Sequence, residues 1–237
     1  MSIFQFKQFN INQDKTAMKV GTDGVLLGAW APIASPIYSI LDIGAGTGLI
    51  ALMLAQRCNA EQIDAIEIDD NAYLQCVENF DQSPWTERLF CYHAGLDELI
   101  EDPEDEYDLI VCNPPFYSED YKTPDESRNT ARFQDSLPFV ELVEAADLLL
   151  SENGILAVII PFKEEENFIK IAQQFELYPQ KITRVKGTPE AEIKRSLMSF
   201  SRDENSTRAI DELIIEISRH NYTQDYTELT KEFYLKM

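Results

Sequence analysis

With 237 residues, of which 44% are hydrophobic and 26% charged, the chain is long enough to bury a sizeable core in one domain. Its 42 acidic and 20 basic residues leave a net charge of −22, which taken alone argues against a nucleic-acid binder, since phosphate contacts supply much of such affinity. No apolar run of about 18 residues could span a membrane. The opening MSIFQFKQFNINQDK lacks the charged leader and apolar run of a secretory signal, and Cys58, Cys76, Cys91 and Cys112 lack Cys-x-x-Cys spacing. These features fit a cytoplasmic protein with buried thiols, no metal site and no disulfide.

In chain order, Phe4, Phe6 and Phe9 among polar residues predict one or two short strands, and DGVLLGAWA (residues 23–31) a short apolar helix stopped by Pro32. A regular alternation begins at Tyr38. YSILDI reads as a strand, GAGTG as a turn and LIALMLAQRC as a helix. QIDAIEI is the next strand, and DNAYLQCVENF a helix capped by Asp69 or Asp70. RLFCYHA and YDLIVC are further strands. They are followed by the helix LPFVELVEAADLLL, the strand ILAVII and the helix KEEENFIKIAQQF. This order predicts an α/β, Rossmann-like fold with a mainly parallel seven-stranded sheet and helices on both faces. KITRVKG, RSLMSFSR and DELIIEIS predict antiparallel additions at its C-terminal edge. One domain is expected over 1–237, with residues 1–35 closing over the site and 36–237 as the core. The acidic stretch from Asp97 to Asp108 reads as a solvated loop, and residues 117–135 as a mobile loop beside the site.

The first chemical signal is Asp42-Ile-Gly-Ala-Gly-Thr-Gly48 between a predicted strand and a predicted helix. Gly44, Gly46 and Gly48 let the backbone turn sharply beneath a ligand. The spacing is G-x-G-x-G, not the G-x-G-x-x-G of dinucleotide oxidoreductases. Asp42 suits a ligand with an ammonium end, directly or through a water, and would repel a diphosphate. The motif therefore favours S-adenosyl-L-methionine over NAD. Glu67 ends the second strand, where it can accept both ribose hydroxyls. Asp69, one alternation further, reads as the cap of the next helix. The third strand ends at Ala94-Gly95-Leu96-Asp97, so the contact to the cofactor's adenine is expected near Leu96, from backbone or from Asp97.

The second signal is Asn113-Pro114-Pro115-Phe116 after the fourth strand, at the carboxyl edge where ligands collect in open α/β sheets. Two adjacent prolines make a rigid corner that can continue neither strand nor helix. An exocyclic amino group is a poor nucleophile because its lone pair is delocalised into the ring. The Asn113 side-chain oxygen and the Pro114 carbonyl can accept its two N–H bonds and aim the lone pair at a methyl donor. Phe116 offers a ring for the base to stack on. Such catalysis rests on positioning and polarisation. His93 and His220 sit in no motif and read as structural.

DIGAGTG together with NPPF resembles the class I amino-methyltransferases. FQFKQFNINQDKTAMKVGTDGVLLGAW, IKRSLMSFS and the ending LTKEFYLKM are similar to the bacterial tRNA1(Val) adenine-37 N6-methyltransferases, over nearly the whole chain. The resemblance implies methylation of an adenine beside the anticodon. It also implies that Lys19, Gly21, Thr22 and Asp23 belong to the cofactor pocket. Thr22 or Asp23 could also cap the helix that follows. The substrate would be a tRNA anticodon stem-loop, with no stable protein partner. A guanine-N2 RNA methyltransferase, a protein glutamine-N5 methyltransferase and a non-catalytic cofactor- or RNA-binding protein are the competing readings.

The acidic balance is uneven along the chain. Residues 181–202 hold six basic side chains (Lys181, Arg184, Lys186, Lys194, Arg195 and Arg202) against Glu190 and Glu192, and Arg128 and Arg132 follow the NPPF corner. A local basic surface formed by Arg128, Arg132, Lys186, Lys194 and Arg195 is therefore expected to grip the RNA.

Overall fold

The computed structural model describes residues 3–16, 18–33, 36–101, 106–115, 137–206 and 208–236. An N-terminal hairpin, β1 (Ile3–Gln5) and β2 (Asn10–Asn12), leads into helix α1 (Thr22–Trp30). The alternating core follows: β3 (Ser39–Ile43), α2 (Leu49–Arg57), β4 (Gln62–Glu67), α3 (Asp70–Asp81), β5 (Leu89–His93), α4 (Leu96–Glu101) and β6 (Tyr107–Cys112). Beyond it lie α5 (Phe139–Leu149), β7 (Leu150–Pro161), α6 (Glu165–Gln174), β8 (Tyr178–Lys186), β9 (Ile193–Ser201) and β10 (Ala209–Ile214). A small hairpin, β11 (Glu216–Ser218) and β12 (Asn221–Tyr222), and helix α7 (Gln224–Thr230) close the chain.

The sheet order is β10-β8-β9-β7-β6-β3-β4-β5. The expected class holds, with eight strands in the sheet among the described residues where seven were predicted. Of the three C-terminal strands only β9 opposes the rest, pairing antiparallel with both β7 and β8. β10 then runs parallel to β8. The predicted last strand divides at Ile215, whose N–H bonds the Lys186 carbonyl. β11 turns away to pair with β12. Two short helices, α4 and α7, were not expected. In α4, Leu96, Leu99 and Ile100 pack against the sheet, and this apolar spacing lies hidden among the acids that suggested a loop.

Each central strand is apolar on both faces, as parallel strands covered by helices must be. Ile40, Ile63, Leu109, Ala157 and Leu197 join α1 and α2 in one core. Leu41, Ile43, Ile110, Leu156 and Met198 join α5 and α6 in the other. Strand alternation therefore points Asp42 to the α2 side with Ile40. The two chain ends meet on that same side. Phe6 forms a bridge with Tyr234 and stacks on its ring, and Lys7 N–H donates to the Phe233 carbonyl at 2.8 Å. No helix among the described residues is long and apolar enough to cross a membrane.

Candidate active site

The site follows from one register. β3 lies between β4 and β6, with Ile43 opposite both Ile66 and Cys112. The next position on each strand lies at the same level: Gly44 just beyond β3, Glu67 as the last residue of β4 and Asn113 just beyond β6. The glycine turn and the Asn-Pro-Pro corner are thus neighbours at the carboxyl edge, where the topology reverses between β3 and β6.

Gly44, Gly46 and Gly48 all have left-handed backbone, with φ of 71°, 58° and 79°. The Gly44 and Ala45 N–H groups donate to the Ile66 carbonyl at 3.0 Å, and the Gly46 N–H to Glu67 Oε2 at 2.7 Å. Three successive donors of the turn are thus used within the protein. They are not free to form the outward-facing nest that cradles a phosphate. This geometry, with carboxylates at 42 and 67 beside the turn, suits a cationic ligand better than a diphosphate.

The glycines have different tasks. A Cβ on Gly46 would meet nothing within 4 Å, whereas one on Gly48 would come within 2.6 Å of the Phe80 ring and 2.9 Å of Cys76 Sγ. The expected result is a contrast. Gly48→Ala lowers the melting temperature by about 10 °C, from roughly 3 kcal/mol of backbone strain and overpacking. Gly46→Ala is milder on stability but weakens donor binding. Melting curves and calorimetric titration of both variants check this, and equal melting temperatures would contradict the assignment.

Asp42 lies beneath the turn with no exposed surface. Its Oδ2 accepts from the Ala51 N–H at 3.1 Å, and Oδ1 has no hydrogen-bond partner. Burial pushes its carboxyl up to about 7, against the opposing pull of the Ala51 N–H. A fully enclosed carboxylate does not confront a ligand across open surface, so a bound water is the link its position allows. Glu67 is half-buried, and its Oε1 accepts from the Asp69 N–H at 2.9 Å. Asp69 caps α3, accepting from the Asn71 and Ala72 N–H groups, as expected. The Gly95 N–H donates to Glu98 Oε1 at 3.0 Å, and Leu96 is partly buried against the α5 core. Ile68, 74% exposed beside Glu67, is an apolar surface that sequence reasoning missed. His93 bonds the Ile68 carbonyl at 3.0 Å and stacks on Tyr73.

Asn113 is half-buried, Pro114 buried and Pro115 exposed. Phe116, Arg128, Arg132 and the expected mobile loop at 117–135 lie outside the described residues. Gly21 is the N-cap of α1 with no side-chain cap, so neither Thr22 nor Asp23 caps it. Lys19, Gly21 and Thr22 are exposed. Asp23 is held by Arg195, Nε to Oδ2 at 2.8 Å, and Arg195 sits opposite Pro161 at the carboxyl end of β7. The ion pair therefore ties α1 to the same sheet edge.

The expected basic surface looks different in three dimensions. Lys181 pairs with Asp211, Arg184 with Glu165, Lys186 with Glu212, Lys194 with Glu192, Arg195 with Asp23 and Arg202 with Asp147. Five of these six cations meet carboxylates from other elements, which a count along the chain does not see.

Asn79 was also missed. It is 1% exposed on α3. Its carboxamide donates to the Thr47 carbonyl in the glycine turn at 2.8 Å and to the Asn12 carbonyl at 3.0 Å, and accepts from the Asn12 N–H at 2.8 Å. One side chain thus joins the N-terminal hairpin to the turn. Its only sequence signal is a polar residue on the apolar face of α3. Asn79→Leu strands three backbone groups. Donor affinity is expected to fall about tenfold or more, at about 1–3 kcal/mol per unsatisfied group. A calorimetric Kd equal to that of the unaltered protein would refute that role.

Residues 33–181 match the family model described as Methyltransferase small domain. The tRNA1(Val) (adenine(37)-N6)-methyltransferase of Flavobacterium johnsoniae is 74% identical over 235 residues, covering 99% of this chain and 100% of its own length. The protein of the same name from Bacteroides fragilis strain ATCC 25285 is 47% identical over 240 residues, with 99% and 98% covered. Among solved structures, a predicted O-methyltransferase from Agrobacterium tumefaciens superposes with a TM-score of 0.71 at 17% identity, covering 89% of this chain and 96% of that one. TYW2 of Pyrococcus horikoshii in complex with MeSAdo gives 0.59 at 15% identity, with 85% and 72% covered.

Proposed function

The chain belongs to the tRNA1(Val) (adenine(37)-N6)-methyltransferase family, and on that premise we propose that its carboxyl-edge site transfers a methyl group from S-adenosylmethionine to N6 of adenine 37 in the anticodon loop of that tRNA. The observation that carries this reading is the β3–β6 register, which sets the glycine turn and the Asn113 corner side by side.

The residues of the turn fit the donor. Open space lies over Gly44 and Gly46, Glu67 stands where ribose hydroxyls can donate to it, and the buried Asp42 has an oxygen without a partner. Ile68 offers an exposed apolar surface for the adenine ring, and Leu96 lines the neighbouring strand end. Lys19, Gly21, Thr22 and Asp23 close the methionine end, with Asp23 steadied by Arg195. When bound, the donor supplies an electrophilic methyl on a sulfonium.

The chain's own part is orientation. The Asn113 side-chain oxygen and the Pro114 carbonyl accept the two N–H bonds of the target amino group. Its lone pair is drawn out of the ring and pointed across the gap to the turn. Proline at 114 has no N–H, so the corner presents acceptors to the amino group. Pro115 keeps the corner rigid, and Phe116 stacks on the flipped base. On transfer the nitrogen would gain the methyl carbon as that carbon's bond to sulfur breaks, leaving a neutral thioether, and would release one proton to solvent. Lys186, Lys194, Arg195, Arg128 and Arg132 guide the anticodon stem-loop. Since the first three are already paired, they act by exchanging carboxylate for phosphate.

Incubation with labelled S-adenosylmethionine and total tRNA, followed by nucleoside mass spectrometry, is expected to yield N6-methyladenosine from a single valine tRNA. Label in N2-methylguanosine, or in protein glutamine and not in tRNA, would reject the reading.

A further inference from the structure

Beside the α1 N-terminus and just beyond the carboxyl end of β10, the two chain ends line a groove of about 540 Å³ with Phe4, Thr22, Tyr222, Tyr226, Tyr234 and Lys236. That volume lies within the range of small-molecule pockets, ~300–1,000 Å³. We infer that this groove is a stacking platform for the unpaired nucleotides that flank the target adenine. The inference rests on the RNA reading above and extends it by naming where the loop lies.

Three observations point there. The rings are preorganised. Tyr222 and Tyr226 pack with centroids 5.3 Å apart, and Phe4 meets Tyr234 edge-on at 6.2 Å. Tyr222 nevertheless remains 37% exposed and Leu235 54% exposed, so apolar surface is left open to a ligand. Stacking on such rings, with phenol edges for 2′-hydroxyls, is how single-stranded RNA is held without base-pair readout.

The groove also adjoins the carboxyl edge of the sheet. Thr22 forms part of its wall, and the next residue, Asp23, is bonded to Arg195 beside the end of β7. Finally, charge is a weakened source of affinity along residues 181–202, where a phosphate must first displace a carboxylate. On a chain of net charge −22, all six basic side chains of residues 181–202 already face a carboxylate. The groove itself holds Lys236 and Glu216, which balance. A protein that binds RNA chiefly through rings should show a shallow dependence of affinity on salt.

The test uses the full chain with a valine tRNA. Tyr222→Leu is expected to raise the KM for tRNA about tenfold, from the loss of one stacked base. Its kcat and its Kd for S-adenosylmethionine should stay unchanged. An anticodon stem-loop carrying 4-thiouridine beside the target position, irradiated with the unaltered protein, should attach to peptides within residues 215–236. An unchanged KM, or crosslinks confined to other peptides, overturns the platform while leaving the methyl-transfer reading intact. Absence of any methyl transfer to tRNA by the unaltered protein overturns both.

Discussion

Asn113→Ala is expected to lower turnover by about 10²–10³-fold, the usual effect of removing one preorganised polar group from a reacting centre. The loss should fall on kcat. The side chain is half-buried just beyond β6, and its neighbours Cys112 and Pro114 are held by the sheet and by the proline ring. The fold and the melting temperature therefore change little. The proposed donor site is the neighbouring turn, so the Kd for S-adenosylmethionine should stay near that of the unaltered protein. Asn113→Asp makes a sharper comparison. It keeps an acceptor but puts a negative charge beside the amino group, and recovers only part of the rate. Stopped-flow or single-turnover methylation separates chemistry from binding. An Asn113→Ala variant with normal single-turnover rate would remove the corner from the reaction.

The second large effect concerns Asp42 and pH. Its carboxyl is at about 7 in the folded protein because burial penalises the charged form, against an ordinary value of 3.8. Between about pH 4 and 7 the folded state holds this proton and the unfolded state does not. Unfolding therefore releases it, and stability falls as pH rises through that window. Above 7 the penalty is complete, on the order of 4 kcal/mol. Asp42→Asn keeps an acceptor for the Ala51 N–H and carries no charge. Its stability should vary less between pH 4 and 7 and exceed that of the unaltered protein at pH 8, as read by denaturant titration. Donor affinity gives an independent readout. Ionised Asp42 is the state that a cationic amino end favours, so affinity should rise through pH 7 in the unaltered protein and not in the variant. Parallel stability curves for the two proteins would show that Asp42 does not carry this proton.

The elements that strand periodicity and glycine spacing define were legible in the sequence. YSILDI, QIDAIEI and YDLIVC became β3, β4 and β6 with their ends close to the expected positions, and Asp69 capped α3. These strands are apolar on both faces, and that pattern has few other solutions. The C-terminal strands were harder to place. Their direction depends on pairing between residues far apart in sequence, so β10 came out parallel and DELIIEIS split where Ile215 bonds Lys186. Helix α4 was masked by its charge, although Leu96, Leu99 and Ile100 bury one face.

The two motifs of the candidate site are local in the sequence, DIGAGTG and NPPF, and the β3–β6 register brings the turn beside Asn113. What depends on packing was not readable there. Asn79 reaches the turn from a different helix, and Ile68 gains its meaning only from exposure at the sheet edge. The cations of residues 181–202 lose their apparent excess because Asp23, Asp147, Glu165, Asp211 and Glu212 come from elements distant in sequence.

A crystal structure of the protein with S-adenosylhomocysteine and an anticodon stem-loop bears most directly on the shared work of the corner and the turn. It should place the exocyclic nitrogen of one extruded adenine about 3 Å from both the Asn113 side-chain oxygen and the Pro114 carbonyl, facing the sulfur held over Gly44 and Gly46. An adenine still stacked in its loop, or lodged against residues far from 113–116, would contradict it.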